Sequence, residues 1–202
     1  MNRLRVLVLG GYGLFGRRLV ERLSRVAGLH LTVAGRDAGK AHAAVKALGD
    51  TPADLDAVAL DHSSPSFASE LARLAPDLTI HCAGPFQGQD YAVAWACIAA
   101  KSHYVDLADG RAFVTGIVAL DQAARSAGVG VISGASSVPA LSGAVISALS
   151  ADMAQVRAID IGISPGNRTE RGLSTVAAVL GYCGQPIGPD MSDVGAQAHG
   201  WC

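Results

Sequence analysis

A run of glycines between two unlike segments constrains this chain more than any other feature. Gly11-Tyr12-Gly13-Leu14-Phe15-Gly16, preceded by Gly10, directly follows the apolar run Leu4–Leu9. It opens a stretch, Leu14–Val26, in which Leu19, Leu23 and Val26 recur at helical spacing with Arg17, Arg18, Glu21 and Arg22 on the other faces. Glycine loses more backbone freedom on ordering than any other residue and offers no side chain to pack. Such a cluster therefore belongs to a turn, here a turn from a buried strand into an amphipathic helix. Leu4–Leu9 shows no polar alternation, as expected of a strand covered on both faces.

The strand–helix alternation then repeats. Leu29–Ala34 forms a second strand, and Asp37 N-caps an Ala-rich helix that runs to Leu48. Strand Ala57–Leu60 precedes helix Ser66–Leu74, strand Leu78–Cys82 precedes helix Asp90–Lys101, and strand Tyr104–Leu107 precedes helix Phe113–Ala127. Val129–Ser133 closes the series. Crossovers of helical length join parallel strands and cover both faces of their sheet. The spacing predicts an α/β fold, a doubly wound parallel sheet of the Rossmann type. Half of the 202 residues are hydrophobic and 16% are charged, against about 25% charged in average soluble chains, so material for a core is ample. The pattern changes after the helical run Leu141–Met153. Val156–Ser164 alternates, with Ile159, Ile161 and Ile163 on one side and Ala158, Asp160 and Gly162 on the other, as in an open antiparallel sheet. This divides the chain into a first domain, residues 1–153, and the beginning of an α+β domain, residues 154–202, with one more helical stretch near Leu173–Leu180. About fifty residues are few for an independent core, and this second domain is expected to be incomplete.

Placed between a strand and a helix, G-x-G-x-x-G has the context that a dinucleotide-binding loop requires. Its first glycine permits the turn, its second lets backbone approach a pyrophosphate, and its third lets the helix pack on the strand. The N–H groups at the helix start then face the phosphates with the positive end of the dipole. Gly10, Gly11, Gly13, Leu14, Phe15 and Gly16 are accordingly candidate cofactor residues. About 20 residues past such a loop, an NAD site carries Asp or Glu for the ribose 2′-hydroxyl. Here Gly35-Arg36 stands at that point, with Asp37 one step later as a helix cap. A guanidinium pairs well with a 2′-phosphate, so NADP is favoured over NAD; the competing reading makes Arg36 a solvated loop charge and turns Asp37 inward instead. Lys40 lies one helical turn on. Asp61, past the third strand, meets either the adenine amino group or the start of the next helix as its cap. Ala83, Gly84 and Pro85 end the fourth strand, where small residues let ribose and nicotinamide pass, with Pro85 and Phe86 as walls for the ring. Tyr104, Asp106 and Asp109 at the end of the fifth strand face substrate or serve as turn and cap residues.

Other chemistries fit less well. Sixteen basic against seventeen acidic side chains, a net charge of −1, give no basic excess for neutralising nucleic-acid phosphates. Gly162-Ile163-Ser164-Pro165-Gly166 matches a nucleophile elbow in spacing, but Pro165 has no N–H for the oxyanion hole. Tyr-x-x-x-Lys is absent: Trp95 and Ala108 stand four residues after Tyr91 and Tyr104. His81 and His103 lack a second ligand at metal-binding spacing, so no metal site is expected. Arg3 and Arg5 precede an apolar run that the glycines interrupt, without a signal-peptide cleavage site, and no apolar stretch reaches the ~18 residues of a membrane span. Cys82, Cys97, Cys183 and Cys202 form no C-x-x-C pair and read as thiols of a reducing compartment. A cytoplasmic location follows.

Taken together, VLVLGGYGLFG, AGRD, HCAGPF, HYVDLADGRAFV and GASSVPALS resemble bacterial saccharopine dehydrogenase-like oxidoreductases, from Arg5 to about Tyr182. The resemblance implies an NAD(P)-binding domain followed by an α+β domain that contributes to the substrate pocket and to a homodimer contact. It places Gly10–Gly16, Arg36 and Ala83–Pro85 on the cofactor. Full members of the family continue well beyond 202 residues, so a C-terminally truncated chain is expected, one that binds cofactor without turning over substrate. The implied reaction is hydride transfer between nicotinamide and a small C=N or C=O substrate; the alternative is a non-catalytic NADP-binding module.

Overall fold

Strands β1 (Leu4–Leu9), β2 (Leu29–Gly35), β3 (Asp54–Ala59), β4 (Leu78–His81), β5 (His103–Asp106) and β6 (Val131–Ile132) alternate with helices α1 (Leu14–Leu23), α2 (Ala38–Leu48), α3 (Phe67–Leu74), α4 (Ala92–Ala99), α5 (Arg111–Gly116) and α6 (Asp121–Ala127). Helices α7 (Ser142–Leu149) and α8 (Leu173–Tyr182) follow. This is a computed structural model, and it describes residues 3–162, 166, 168, 170 and 172–183. The strands form one sheet in the order β3-β2-β1-β4-β5-β6, and every neighbouring pair is parallel. Strand order reverses between β1 and β4, which opens a crevice at their C-terminal ends. Among the described residues no helix is long and apolar enough to cross a membrane.

The continuous apolar run Val6–Leu9 of β1 is used on both faces. Val6 and Val8 pack with Val20, Leu31 and Val33 beneath α1 and α2. Leu7 and Leu9 pack with Leu60, Phe67, Leu71, Ala94 and Cys97 beneath α3 and α4. Side chains alternate across a strand, so a central strand with a helical layer on each side needs apolar residues at every position.

Several boundaries differ from the sequence reading. β3 starts at Asp54, three residues before the expected Ala57, because an edge strand keeps Asp54 and Asp56 in the ladder with its exposed face polar. The single helix expected over Phe113–Ala127 is α5, a 3₁₀ turn at Ile117–Leu120 and α6; Phe113, Ile117, Leu120 and Ala124 are buried throughout. Val129–Ser133 shrinks to two residues, and Leu141–Met153 to α7, preceded by a kinked wide turn over Ser137–Leu141 in which Val138 is extended. The strand expected over Val156–Ser164 is not formed in its described part, residues 156–162. Ile159 and Ile161 are 52% and 51% exposed, because among the described residues no neighbouring strand offers a ladder or a face to bury against. Ile163 and Ser164 lie outside the described residues.

Candidate functional site

Gly10 adopts φ +78° at the end of β1, a left-handed conformation that glycine enters without steric cost. Its N–H and that of Gly11 donate to the Ala34 carbonyl at 2.8 and 3.1 Å, and Gly13 N–H donates back to Gly10 O at 2.9 Å. The loop is thus tied to the tip of β2. A Cβ on Gly10 would lie 2.9 Å from Ala83 N, and one on Gly11 would lie 2.9 Å from Val8 O. One on Gly16 would collide with the Gly10 carbonyl oxygen. Those three glycines serve the protein's own close packing. Gly13 differs, since among the described residues its Cβ would meet only Gly10 O, at 3.1 Å. Gly13 is the N-cap of α1 and has no side chain to cap it, and the first turn carries no acidic residue. The N–H groups of Leu14, Phe15 and Gly16 take no acceptor among the described residues. Uncapped N–H groups at the positive end of a helix, behind a glycine open on one side, fit a pyrophosphate.

Arg36 projects from the tip of β2 and is exposed. Asp37 does not turn inward: its Oδ1 accepts from Lys40 N–H at 3.0 Å and caps α2, and Lys40 Nζ lies 3.8 Å from its carboxylate. Tyr12 was not singled out by its spacing, yet its ring lies against Gly35, whose Cβ would stand 2.7 Å from the phenol Cζ. Its hydroxyl accepts from Asp37 N–H at 3.0 Å. A glycine ending a buried strand was the available signal, because such a residue marks close approach by another group. Asp61 does not cap α3, which begins after Ser66 without a side-chain cap. Instead its Oδ1 accepts from Ser63 N–H and Oγ at 3.0 and 2.8 Å. Those bonds, with smaller help from the charges of His62 and Arg36, hold the carboxyl below its usual range, so Asp61 is an ionised acceptor beside Arg36.

Ala83, Gly84 and Pro85 follow β4, with Ala83 against Gly10 across the reversal of strand order. Gln89 Nε2 donates to the carbonyls of Ala83 and Pro85 at 3.1 and 2.6 Å and fastens this turn. Phe86 turns into the core instead of standing free beside Pro85, its ring centroid 5.0 Å from His81 and 5.4 Å from Phe113. Gln87 Nε2 donates to Asp109 Oδ1 at 3.0 Å and joins the loops after β4 and β5. Between them is a cleft of about 400 Å³ lined by Phe86, Gln87, Gln89, Tyr91, Gly110 and Phe113.

Tyr104 and Asp106 lie inside the fold and do not face this cleft. Asp106 is fully buried, and its Oδ1 accepts from Ala108 N–H, Gly134 N–H and Ser133 Oγ, each at 2.9 Å. The Tyr104 hydroxyl lies 3.2 Å from His81 Nδ1, and burial, then the neighbouring Asp106, raises its pKa. Burial pushes Cys82 and Cys97 up to about 12, which makes both inert thiols, as small buried cysteines generally are. His81 is pushed down to about 3, chiefly by burial and then by His62. Between that value and about 6.5 the unfolded chain binds a proton here that the folded chain does not, so stability falls as pH falls. From pH 7 to pH 5 the loss due to this residue is about 2 kcal/mol. Urea unfolding is expected to show a pH-dependent drop smaller by that amount in His81→Gln; equal drops in both proteins would contradict it.

Comparison with known proteins agrees with the geometry. Residues 6–132 match the family model "Saccharopine dehydrogenase NADP binding domain". Among solved structures, saccharopine dehydrogenase (L-Glu forming) from Saccharomyces cerevisiae is 23% identical over 65% of this chain, with a TM-score of 0.52; the match spans 27% of the yeast chain. L-sorbose reductase from Gluconobacter frateurii, complexed with NADPH and L-sorbose, is 11% identical over 64% of this chain and 67% of its own, with a TM-score of 0.51. At these identities the likeness is one of fold. No curated protein matches the chain.

Proposed function

The chain belongs to the saccharopine dehydrogenase NADP binding domain family, and from that premise we propose that it is the cofactor-holding part of an NADP-dependent oxidoreductase, transferring hydride between nicotinamide and a small C=N or C=O substrate. The observation that carries this reading is the pairing of an uncapped α1 N-terminus behind Gly13 with a β2 tip that presents Arg36 and no inward acid. In this reading the loop Gly10–Gly16, with the N–H groups of Leu14 and Phe15, holds the pyrophosphate. Arg36 takes the 2′-phosphate, Asp61 accepts from the adenine amino group, and Ala83, Gly84 and Pro85 lie along the ribose and nicotinamide. The cofactor supplies the hydride; the protein's residues bind, orient and exclude water.

The cleft between the loops after β4 and β5 suits a small substrate at the nicotinamide end. Residues 154–202 would add to its wall and to a homodimer contact. Two features support the first part of that assignment: Gly172 lies against Leu14, and Gly181 reaches the cleft. The free thiols of half-buried Cys82 and buried Cys97 go with a cytoplasmic location. Hydrogen exchange with and without NADPH tests the site. Added NADPH is expected to protect amides in Gly10–Gly16, at Arg36 and in Ala83–Gly84, and protection confined to other segments would contradict the assignment. NADPH consumption with a panel of small ketones and imines supports the oxidoreductase; binding without consumption supports a non-catalytic module.

A further inference from the structure

We propose that Tyr12 determines cofactor specificity in this site, its phenolic O–H donated to the phosphate on the 2′ carbon of the adenosine ribose. The inference rests on the NADP reading above and extends it to a residue that the glycine fingerprint leaves unspecified. Tyr12 is half-buried between the loop and the tip of β2. Only glycine at position 35 admits its ring there, since a Cβ would lie 2.7 Å from Cζ and 2.8 Å from Oη.

A tyrosine hydroxyl has one proton to donate and lone pairs to accept with. Asp37 N–H takes a lone pair at 3.0 Å, so the O–H proton points elsewhere, and no acceptor meets it among the described residues. The acceptors around it are already engaged. Ala34 O receives the N–H groups of Gly10 and Gly11, Gly35 O that of Leu60, and Asp37 O that of Ala41. Asp37 Oδ1 receives Lys40 N–H. Two donors stand free beside them, the Tyr12 O–H and the guanidinium of Arg36, which makes no hydrogen bond or ion pair among the described residues; the carboxylate nearest that guanidinium, Asp61, already accepts from Ser63. A 2′-phosphate is purely an acceptor, whereas the 2′-hydroxyl of NAD is normally held by an acidic acceptor. A tip that offers these two free donors, and no inward acid at the end of β2, selects the phosphate.

Tyr12→Phe tests this, because the ring over Gly35 stays and only the hydroxyl goes. Affinities for NADPH and NADH are measured by titration in wild type and variant, and again with 2′,5′-ADP and 5′-ADP, which lack the nicotinamide half. The variant is expected to bind NADPH and 2′,5′-ADP about tenfold more weakly, the equivalent of one charge-assisted hydrogen bond, with NADH and 5′-ADP unchanged. Any cost of losing the Asp37 N–H partner would fall on all four ligands alike, so the ratio within each pair isolates the phosphate. Unchanged ratios overturn the role of Tyr12 while a wild-type preference for NADPH leaves the NADP reading intact. A wild type without that preference overturns both.

Discussion

Gly13→Val is expected to abolish detectable NADPH binding in a protein that still folds. Gly13 is an ordinary extended N-cap with φ −72° and ψ 176°, a conformation that valine adopts. Its Cβ would press only on Gly10 O, at 3.1 Å, a contact relieved by a shift of a few tenths of an ångström. Replacing a glycine N-cap by a β-branched apolar residue costs about 1 kcal/mol of helix stability. The isopropyl group, however, would stand in the open space above the α1 N–H groups. If the pyrophosphate loses two charge-assisted hydrogen bonds there, at about 1.5 kcal/mol each, affinity falls at least about 100-fold. Gly16 shows why position 13 separates binding from folding: there the Cβ would strike the Gly10 carbonyl directly, and any side chain disrupts the loop itself. Circular dichroism and thermal melting check the fold and an NADPH titration checks the site. Undiminished affinity in folded Gly13→Val would show that the loop is a turn and nothing more.

The parts of this molecule legible in its sequence are those in which one physical requirement dictates the residues. The central part of β1, Val6–Leu9, needs apolar side chains at every position because helices cover both faces there, and the expected Leu4–Leu9 matches the observed strand residue for residue. Asp37 sits three residues before an N–H that it caps, and the sequence alone suffices to locate that start of α2. The break inside Phe113–Ala127 was hidden because α-helix and 3₁₀ turn bury residues at similar spacing: Phe113, Ile117, Leu120 and Ala124 satisfy either. The polar face of an edge strand concealed the first half of β3. The lone alternating run after Met153 resembled a strand, but alternation supplies only a face, and a ladder needs a partner. In the site, the glycine loop and Arg36 could be read from spacing. Tyr12 could not, because its role depends on Gly35, brought beside it only when β1 and β2 pair. Phe86, expected as a wall for the ring, lies in the core because Pro85 ends the turn and His81 and Phe113 offer an aromatic pocket.

Arg36→Ala is expected to remove most of the preference for a 2′-phosphorylated cofactor. The guanidinium is exposed and engages no carboxylate in an ion pair among the described residues, so it is available to a ligand; Asp61 beside it accepts from Ser63, which holds its carboxyl below the usual range. A charge-assisted hydrogen bond to a phosphate contributes about 1.5–3 kcal/mol, or about 10- to 150-fold in affinity. Because the residue lies on the surface of the β2 tip, its removal leaves no cavity and its effect on stability is within about 0.5 kcal/mol. The most direct test of the central claim is the ratio of NADPH to NADH affinity, measured by calorimetric titration of the wild type and of Arg36→Ala under identical salt. The account expects the wild type to bind NADPH about 100-fold or more tightly than NADH, and the variant to lose at least about tenfold of that ratio while keeping the share that the Tyr12 hydroxyl supplies, through loss of NADPH affinity alone. Equal affinities in the wild type, or an unchanged ratio in the variant, would contradict it.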